Sequence, residues 1–118
     1  MRLYSLDEVL EHYVFSDGRI VSMNCDYLKN SILVSLDLRK RSEGKLMPAK
    51  LSVRFIEVFE LDVVEHFSTS GQYSDIVLQR GAEGDVYASF DPIDNSGKVS
   101  DGDNFIIRAK SCEFFLED

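Results

Sequence analysis

Hydrophobic positions near the start of the chain repeat at the spacing of one helix face. They are Leu6, Val9, Leu10 and Tyr13. Ser5 precedes this run and Glu8 stands three residues after Ser5, which is the sequence of an N-terminal capping box. The pattern predicts one short helix over residues 6–13, followed by a turn at Asp17-Gly18.

After residue 18 the hydrophobic period changes to 2, which is the pattern of strands with one buried face. Six segments carry this alternation, over residues 21–27, 32–39, 51–58, 73–79, 86–91 and 105–116. Short polar turns separate most of them, including a hairpin tip at 42–45 and a tight turn at 81–84. A change of frame predicts a bulge near residues 55–57 or a strand covered on both faces.

These elements predict a mainly β protein that forms a single domain over residues 1–118. Sequential strands joined by such short turns pair antiparallel, because a parallel pair needs a crossover of about a dozen residues or more. We therefore expect an antiparallel β-sandwich or curved sheet of about six strands over residues 18–116, with the N-terminal helix over one open edge or end. A six-stranded half-open barrel is the close alternative.

Composition and charge limit the classes of function. The chain has 118 residues and a mass of 13.4 kDa, with 13 basic and 21 acidic side chains and a net charge of −8. A surface of that sign repels phosphates, which argues against nucleic acid and membrane as partners and favours a basic protein. The N-terminus has acids where a signal peptide needs an apolar core, and no apolar run reaches the ~18 residues of a membrane span. We therefore expect a cytoplasmic protein, and no motif in the chain implies a cofactor.

The two cysteines lie in segments of alternating polarity and lack metal-ligand spacing. Cys25 and Cys112 are the only cysteines, and they form no Cys-x-x-Cys pair. We interpret them as buried strand thiols in a reducing compartment. A single disulfide remains an alternative, provided that the two segments form neighbouring strands.

Charge is distributed unevenly along the chain. Residues 1–38 have a net charge of −3, residues 39–54 of +5 and residues 55–118 of −10. The basic side chains of the middle segment are Arg39, Lys40, Arg41, Lys45, Lys50 and Arg54. This segment predicts either a solvated hairpin whose charges discourage aggregation or a contact with RNA, phosphate or an acidic partner. Aromatic residues for base stacking are absent from it, which weakens the nucleic-acid interpretation.

The acidic half of the chain contains a loop with clustered carboxylates. Residues 92–103 lack an apolar period and are rich in Asn, Asp, Ser and Gly, which suit turns. Calcium ligation is one interpretation, but the spacing of an EF-hand fails from each aspartate tested. The other is a docking surface for a cationic protein, with Tyr87 as an aromatic anchor. The candidate partner-binding residues are Asp85, Tyr87, Asp91, Asp94, Asp101 and Asp103.

No complete catalytic motif is present in the sequence. His12 and His66 are the only histidines, and a histidine pair could cleave RNA by acid–base chemistry if the two side chains converged. A small RNA-processing enzyme is therefore one alternative function. A homo-oligomeric structural module is another, in which a strand edge or the face with Ile56 and Val58 self-associates.

Four segments carry a resemblance to a known class of protein. They are Ser16-Asp17-Gly18-Arg19-Ile20-Val21, Val53-Arg54-Phe55-Ile56-Glu57-Val58, Tyr73-Ser74-Asp75-Ile76-Val77-Leu78 and Phe90-Asp91-Pro92. From about Asp17 to Phe115 the layout of the chain resembles small bacterial all-β immunity proteins of toxin–immunity systems, including contact-dependent growth inhibition. The resemblance implies a cytoplasmic, non-catalytic protein that binds a cognate toxin domain, often a basic nuclease, and blocks its active site.

Charge and resemblance favour the same class of function. A compact sheet with an acidic C-terminal half and no catalytic set is typical of a protein that binds a basic partner. Carboxylates of the 92–103 loop would pair with the Lys and Arg residues that a nuclease uses to hold phosphate, which excludes RNA or DNA from its cleft. We therefore predict a non-catalytic immunity protein.

Overall fold

The computed structural model of the protein describes residues 3–62, 76–81, 83–91 and 104–117. These residues form one short helix and seven strands. In chain order the elements are β1 (Leu3–Tyr4), α1 (Leu6–His12), β2 (Tyr13–Asp26), β3 (Ser31–Ser42), β4 (Lys45–Asp62), β5 (Val77–Arg80), β6 (Val86–Asp91) and β7 (Asn104–Glu117). The predicted mainly β class with one short N-terminal helix is confirmed.

The described strands belong to one antiparallel sheet. Its order is β2-β3-β4-β7-β6-β5, and β1 pairs with the C-terminal part of β7. The sheet curves so far that its two edge strands, β2 and β5, approach each other. The backbone N–H of Ile76, just before β5, donates to the carbonyl oxygen of Phe15 in β2 at 3.0 Å. The result is a nearly closed sheet, which agrees with the predicted curved sheet and with its half-open barrel alternative.

Helix α1 forms where the capping box predicts it. The Ser5 hydroxyl accepts a hydrogen bond from the backbone N–H of Glu8 at 3.2 Å, and the Glu8 carboxylate accepts one from the backbone N–H of Ser5 at 3.4 Å. Leu6 and Val9 are buried on the inner face of the helix. The helix packs against β2, β3 and β7, so it covers the core at that side of the sheet.

Strand β2 begins earlier than the sequence predicts. It starts at Tyr13, directly after α1, and runs through the Asp17-Gly18 pair that the sequence pattern assigns to a turn. Five steps along β2, from Val14 to Arg19, face only two steps along β3, so an irregular stretch of strand absorbs the extra residues. The strand region therefore starts before residue 18.

Strand β4 contains an irregularity close to the predicted bulge. Glu57 has a positive φ of 54°, and the pairing with β7 shifts register between Val58 and Glu60. The backbone N–H of Val58 donates to the carbonyl oxygen of Asn30 in the β2–β3 turn at 2.8 Å. The change of hydrophobic frame therefore marks a bulge over residues 57–60, slightly beyond the expected position.

The core consists of the inward side chains of the curved sheet together with α1. Phe55 and Phe90 meet edge to face with their ring centroids 6.4 Å apart, which suits the opposite charges of ring edge and ring face. The largest fully buried apolar side chains are Val9, Val34, Leu36, Leu51, Val53, Phe55, Ile107 and Phe114. A smaller cluster of Val77, Tyr87 and Ile106 is separate from this core.

The hairpin tip between β3 and β4 forms where predicted and generates a first testable change. Ser42 pairs with Lys45, and both residues between them have a positive φ: Glu43 at 51° and Gly44 at 79°. That combination is a type I′ turn, which favours Asn before Gly. We expect Glu43→Asn to raise the free energy of unfolding by about 1 kcal/mol, because Asn tolerates the left-handed conformation better than Glu. Denaturant titration measures the change.

A matched control separates backbone strain from charge. Glu83 lies in the β5–β6 turn without a positive φ, so Glu83→Asn removes the same charge with no relief of strain. An equal gain in both variants would show that the stabilisation comes from charge rather than from the turn.

Gly18 allows close packing where the two ends of the sheet meet. A Cβ atom at Gly18 would lie 2.6 Å from Cδ1 of Ile76 and 2.8 Å from Cδ2 of Leu38, both below van der Waals contact. We expect Gly18→Ala to lower the free energy of unfolding by about 1–2 kcal/mol, because the two methyl groups must move in a close-packed core. Denaturant titration against Ser22→Ala, an exposed change on the same strand, tests this. A neutral Gly18→Ala would show that the closure tolerates the added atom.

Candidate binding surfaces

The structure separates two of the predicted partner-binding residues. Asp85 precedes β6 and Asp91 ends it, so the length of the strand, about 20 Å, lies between them. Asp85 is half-buried, and its carboxylate lies over Gly81 in the β5–β6 turn. The predicted residues Asp94, Asp101 and Asp103 lie outside the described residues. The backbone positions of Asp85 and Asp91 therefore lie at opposite ends of β6.

Tyr87 does not present its ring to solvent. Its exposed fraction is 3 %, and the guanidinium of Arg108 lies 5.1 Å from the ring centroid. Arg108 in turn pairs with Glu60 at 3.1 Å, so a ring, a cation and a carboxylate form a row across β6, β7 and β4. An aromatic anchor needs an exposed ring, and the ring of Tyr87 is buried. Its contact with Arg108 stabilises the sheet instead.

The β2–β3 turn exposes two large apolar side chains that the strand pattern missed. Tyr27 is 81 % exposed and Leu28 is 97 % exposed. The Asp26 carboxylate accepts hydrogen bonds from the backbone N–H groups of Leu28 and Lys29 at 3.2 and 3.3 Å, and Asn30 adopts a positive φ of 50°. Asp and Asn at these positions are turn signals, and they could have moved Tyr27 from the predicted strand into the turn.

A third exposed apolar side chain lies on the strand segment next to this turn. Because Val58 bonds to Asn30, the turn is held beside residues 57–59 of β4. Phe59 in that segment is 57 % exposed. We call Tyr27, Leu28 and Phe59 the apolar end. Exposed apolar side chains that occur together, rather than singly, mark interaction sites.

A groove of about 440 Å³ adjoins the apolar end. The guanidinium of Arg54 at its wall lies 5.1 Å from the ring centroid of Phe115, which holds the cation in place. The residues that line the groove are Asn24, Cys25, Asp26, Lys29, Ser31, Leu33, Arg54 and Ile56. Both charge signs and two apolar side chains occur among them, which suits contact with a protein surface better than capture of one small ion.

The apolar end and the flanks of the acidic loop lie toward the same end of the sheet. Ile32 at the start of β3 pairs with Phe55, and from there β4 continues to Asp62. Asp62 pairs with Ile106 near the start of β7, and the neighbouring pair Asp91–Asn104 joins β6 to β7. The two residues that flank segment 92–103 are therefore held at the end of the sheet where the β2–β3 turn lies.

The basic segment forms an arm at the opposite end of the sheet. The last pair between β3 and β2 is Lys40–Tyr13, and the last between β4 and β7 is Lys50–Glu117. Within the described residues, the hairpin from 41 to 49 therefore pairs only with itself, and residues 41–48 are all exposed. We call residues 39–50 the basic arm; they carry five cations and one acid.

The described residues contain one of the two histidines and no cluster of metal-ligand side chains. His12 is exposed at the end of α1, whereas His66 lies outside the described residues, so their convergence stays a prediction. Within the described ranges, no three His, Cys, Asp or Glu side chains are grouped as a metal ion would need. The helix in these ranges is also too short and too polar to cross a membrane. Ile56 and Val58 are half-buried, and Val58 packs against the core.

Comparison with known proteins gives no match: no protein-family model, curated protein or solved structure is similar to this chain. The surfaces described above therefore carry the functional argument by themselves.

The two cysteines are free thiols. Cys25 pairs with Ile32, Ile32 with Phe55 and Phe55 with Cys112, so two strands separate them in the sheet. The alternative of a disulfide between neighbouring strands is therefore wrong. Burial raises the pKa of the Cys112 thiol to about 11, with the cation of Arg80 partly opposing the shift.

The raised pKa of Cys112 predicts a pH dependence of stability. The unfolded thiol has a pKa of 9.0, so the folded state holds the proton more tightly. Its stabilising contribution is complete below pH 9 and is lost as the pH rises toward about 11. We expect Cys112→Ala to make the free energy of unfolding fall less steeply over that range than in the parent protein. Chemical denaturation at several pH values measures both slopes, and Cys25→Ala serves as control. Parallel slopes for parent and Cys112→Ala would contradict the assignment.

Proposed function

We propose that this chain is a non-catalytic binding protein of the immunity type, which neutralises a basic toxin domain such as a nuclease in the cytoplasm. The observation that carries the proposal is the apolar end: Tyr27 and Leu28 of one turn are largely exposed, and the hydrogen bond from Val58 to Asn30 holds this turn against the segment of β4 that carries the exposed Phe59. Large apolar and aromatic side chains at the centre of a contact supply most of the binding energy in protein interfaces.

The charge around the apolar end supports a basic partner. The sequence assigns four aspartates to residues 91–103, and Asp91 is held at this end of the sheet. In the proposed complex, Tyr27 and Leu28 bury apolar area at the centre. Carboxylates of the 92–103 loop would pair with the Lys and Arg residues that otherwise hold phosphate, so that the nuclease could not bind its substrate.

The first test uses the basic proteins encoded by the neighbouring genes as candidate partners. We expect one of them to have nuclease activity that an equimolar amount of this chain abolishes. Tyr27→Ala and Leu28→Ala should each raise the dissociation constant by about 5- to 30-fold, because each removes an anchor worth roughly 1–2 kcal/mol. Isothermal titration calorimetry measures the binding, and nuclease assays measure the inhibition.

Leu46→Ala is the matched control for this test. Leu46 is a half-exposed apolar side chain on the basic arm, at the opposite end of the sheet. If binding is unchanged in Tyr27→Ala and Leu28→Ala but weaker in Leu46→Ala, the partner binds the basic arm and not the apolar end. If this chain inhibits none of the basic proteins encoded by the neighbouring genes, the proposal is wrong.

The acidic loop generates a separate kinetic prediction. Reversing Asp94 and Asp101 to Lys should slow association markedly and change dissociation less, because charges at the rim of an interface act on encounter more than on the formed complex. Stopped-flow mixing with the cognate partner measures both rate constants. Unchanged association kinetics would exclude the loop from the contact surface.

A further inference from the structure

We propose that two copies of this chain form a two-fold dimer in which the basic arm of each copy docks on the acidic α1 side of the other. The inference does not depend on the proposed function, because it concerns the end of the sheet opposite the apolar end. Three features of the described residues lead to it: a hairpin whose strands pair only with each other beyond residues 40 and 50, a complementary acidic surface beside it, and apolar side chains on both.

The basic arm has the exposure of a surface that lacks its partner. Leu46 and Met47 are each about half exposed, at 48 % and 50 %. They lie between the cations Arg41, Lys45 and Lys50, and the arm as a whole has a net charge of +4. A hairpin that extends beyond both neighbouring strands while carrying exposed apolar side chains is unfavourable in isolation, since nothing in the described chain buries them.

The complementary surface is formed by α1 and the β5–β6 turn. Asp7 of the helix pairs with Arg80 at 3.5 Å, which places the helix and the turn side by side. Their acidic side chains are Asp7, Glu8, Glu11, Glu83 and Asp85. Together with Arg80 they have a net charge of −4, equal and opposite to that of the arm. We call these five carboxylate residues the acidic face.

Apolar contact accompanies the charge complementarity. Leu10 projects from α1 with 38 % of its surface exposed, next to Glu11 in the sequence. In the proposed dimer, Leu10 of one copy receives Leu46 and Met47 of the other. Burial of these three side chains supplies affinity, and the opposite charges around them select the orientation.

The position of the arm next to the acidic face favours a closed dimer over an open chain of molecules. The Arg41 guanidinium donates to the backbone carbonyl oxygen of Glu11 at 3.0 Å, so the base of the arm lies against the end of α1. When complementary surfaces are adjacent, one two-fold axis can satisfy both at once; surfaces at opposite ends of a molecule would instead propagate.

Interface size also favours the reciprocal arrangement. The eight exposed residues 41–48 are too few by themselves, because a stable interface uses about 20–30 residues from each side. A two-fold dimer enlarges the contact, since every chain provides both its arm and its acidic face. A second copy of this chain therefore fits the arm better than a short acidic peptide does.

Charge reversal tests the dimer with the full-length protein. One variant reverses two charges of the arm, Lys45→Glu and Lys50→Glu, which brings the net charge of the arm from +4 to 0. The other reverses two charges of the acidic face, Glu11→Lys and Glu83→Lys, which brings the net charge of that face with Arg80 from −4 to 0. These four side chains are exposed, so folding should be retained, and circular dichroism verifies it. Sedimentation velocity should give a dimer for the parent and a monomer for each variant alone. An equimolar mixture of the two variants should give a heterodimer, because the unchanged arm of one variant then meets the unchanged acidic face of the other. The second contact joins the two altered surfaces, whose new Glu and Lys side chains attract each other.

The control variant and the salt series make the test decisive. Lys29→Glu with Lys110→Glu has the same net charge as the arm variant but changes exposed lysines away from the arm, so it should remain a dimer. The dissociation constant of the parent should rise at least about tenfold between roughly 50 mM and 500 mM salt. A parent that is monomeric at all concentrations, a dimer that survives arm reversal, or a mixture without heterodimer would each overturn the proposal.

Discussion

The closure of the sheet on itself is the constraint on which the rest of this structure depends. A single sheet of this size can bury its apolar face only if it curves, since one short helix covers little of it. The curvature is completed where Ile76 bonds to Phe15, and Gly18 leaves room there for the side chains of Ile76 and Leu38. The irregular stretch of β2 at this position is therefore a requirement of closure and not a failed turn.

Closure also determines which parts of the chain are free to bind. Side chains within the closed sheet already contact neighbouring strands, as Arg108 contacts the Tyr87 ring and the Glu60 carboxylate. Surface that is available to a partner arises where a strand extends beyond its neighbouring strands or where a turn extends beyond the sheet. The arm at 41–49 is the first case, because β3 and β4 continue past β2 and β7. The exposed Tyr27 and Leu28 are the second.

The sequence predicts the elements of this fold better than its surfaces, for physical reasons that individual residues make clear. The capping box at Ser5 and Glu8 and the alternation of Ile32 to Leu38 depend on local chemistry, so they could be identified from the chain alone. The continuation of β2 through Gly18 depends on contact with Ile76, 58 residues later, and no local pattern encodes that approach.

The candidate surfaces depend on the same distinction. Asp85 and Asp91 are close in sequence, yet the extended strand β6 separates their backbone positions. Proximity in the chain therefore does not place them at the same end of the sheet. The charge of the basic arm was visible in the sequence, whereas its lack of neighbours could be recognised only from the pairing limits at Lys40 and Lys50. A local charge count identifies the chemistry of a segment, and topology decides whether that chemistry is available to a partner.

Binding at one end of the sheet should leave the other end unchanged. The apolar end and the basic arm are joined by the long pairing of β3 with β4, which runs without a register shift from Ile32–Phe55 to Ser42–Lys45. A continuous ladder of this kind resists local rearrangement, so neither contact requires the other end to change shape. Coupling between two sites needs a differential interaction with two states, and the unshifted register of β3 with β4 gives no sign of a second arrangement in the described residues. A dimer formed through the arms would therefore present two apolar ends, each able to bind its own partner with unchanged intrinsic affinity.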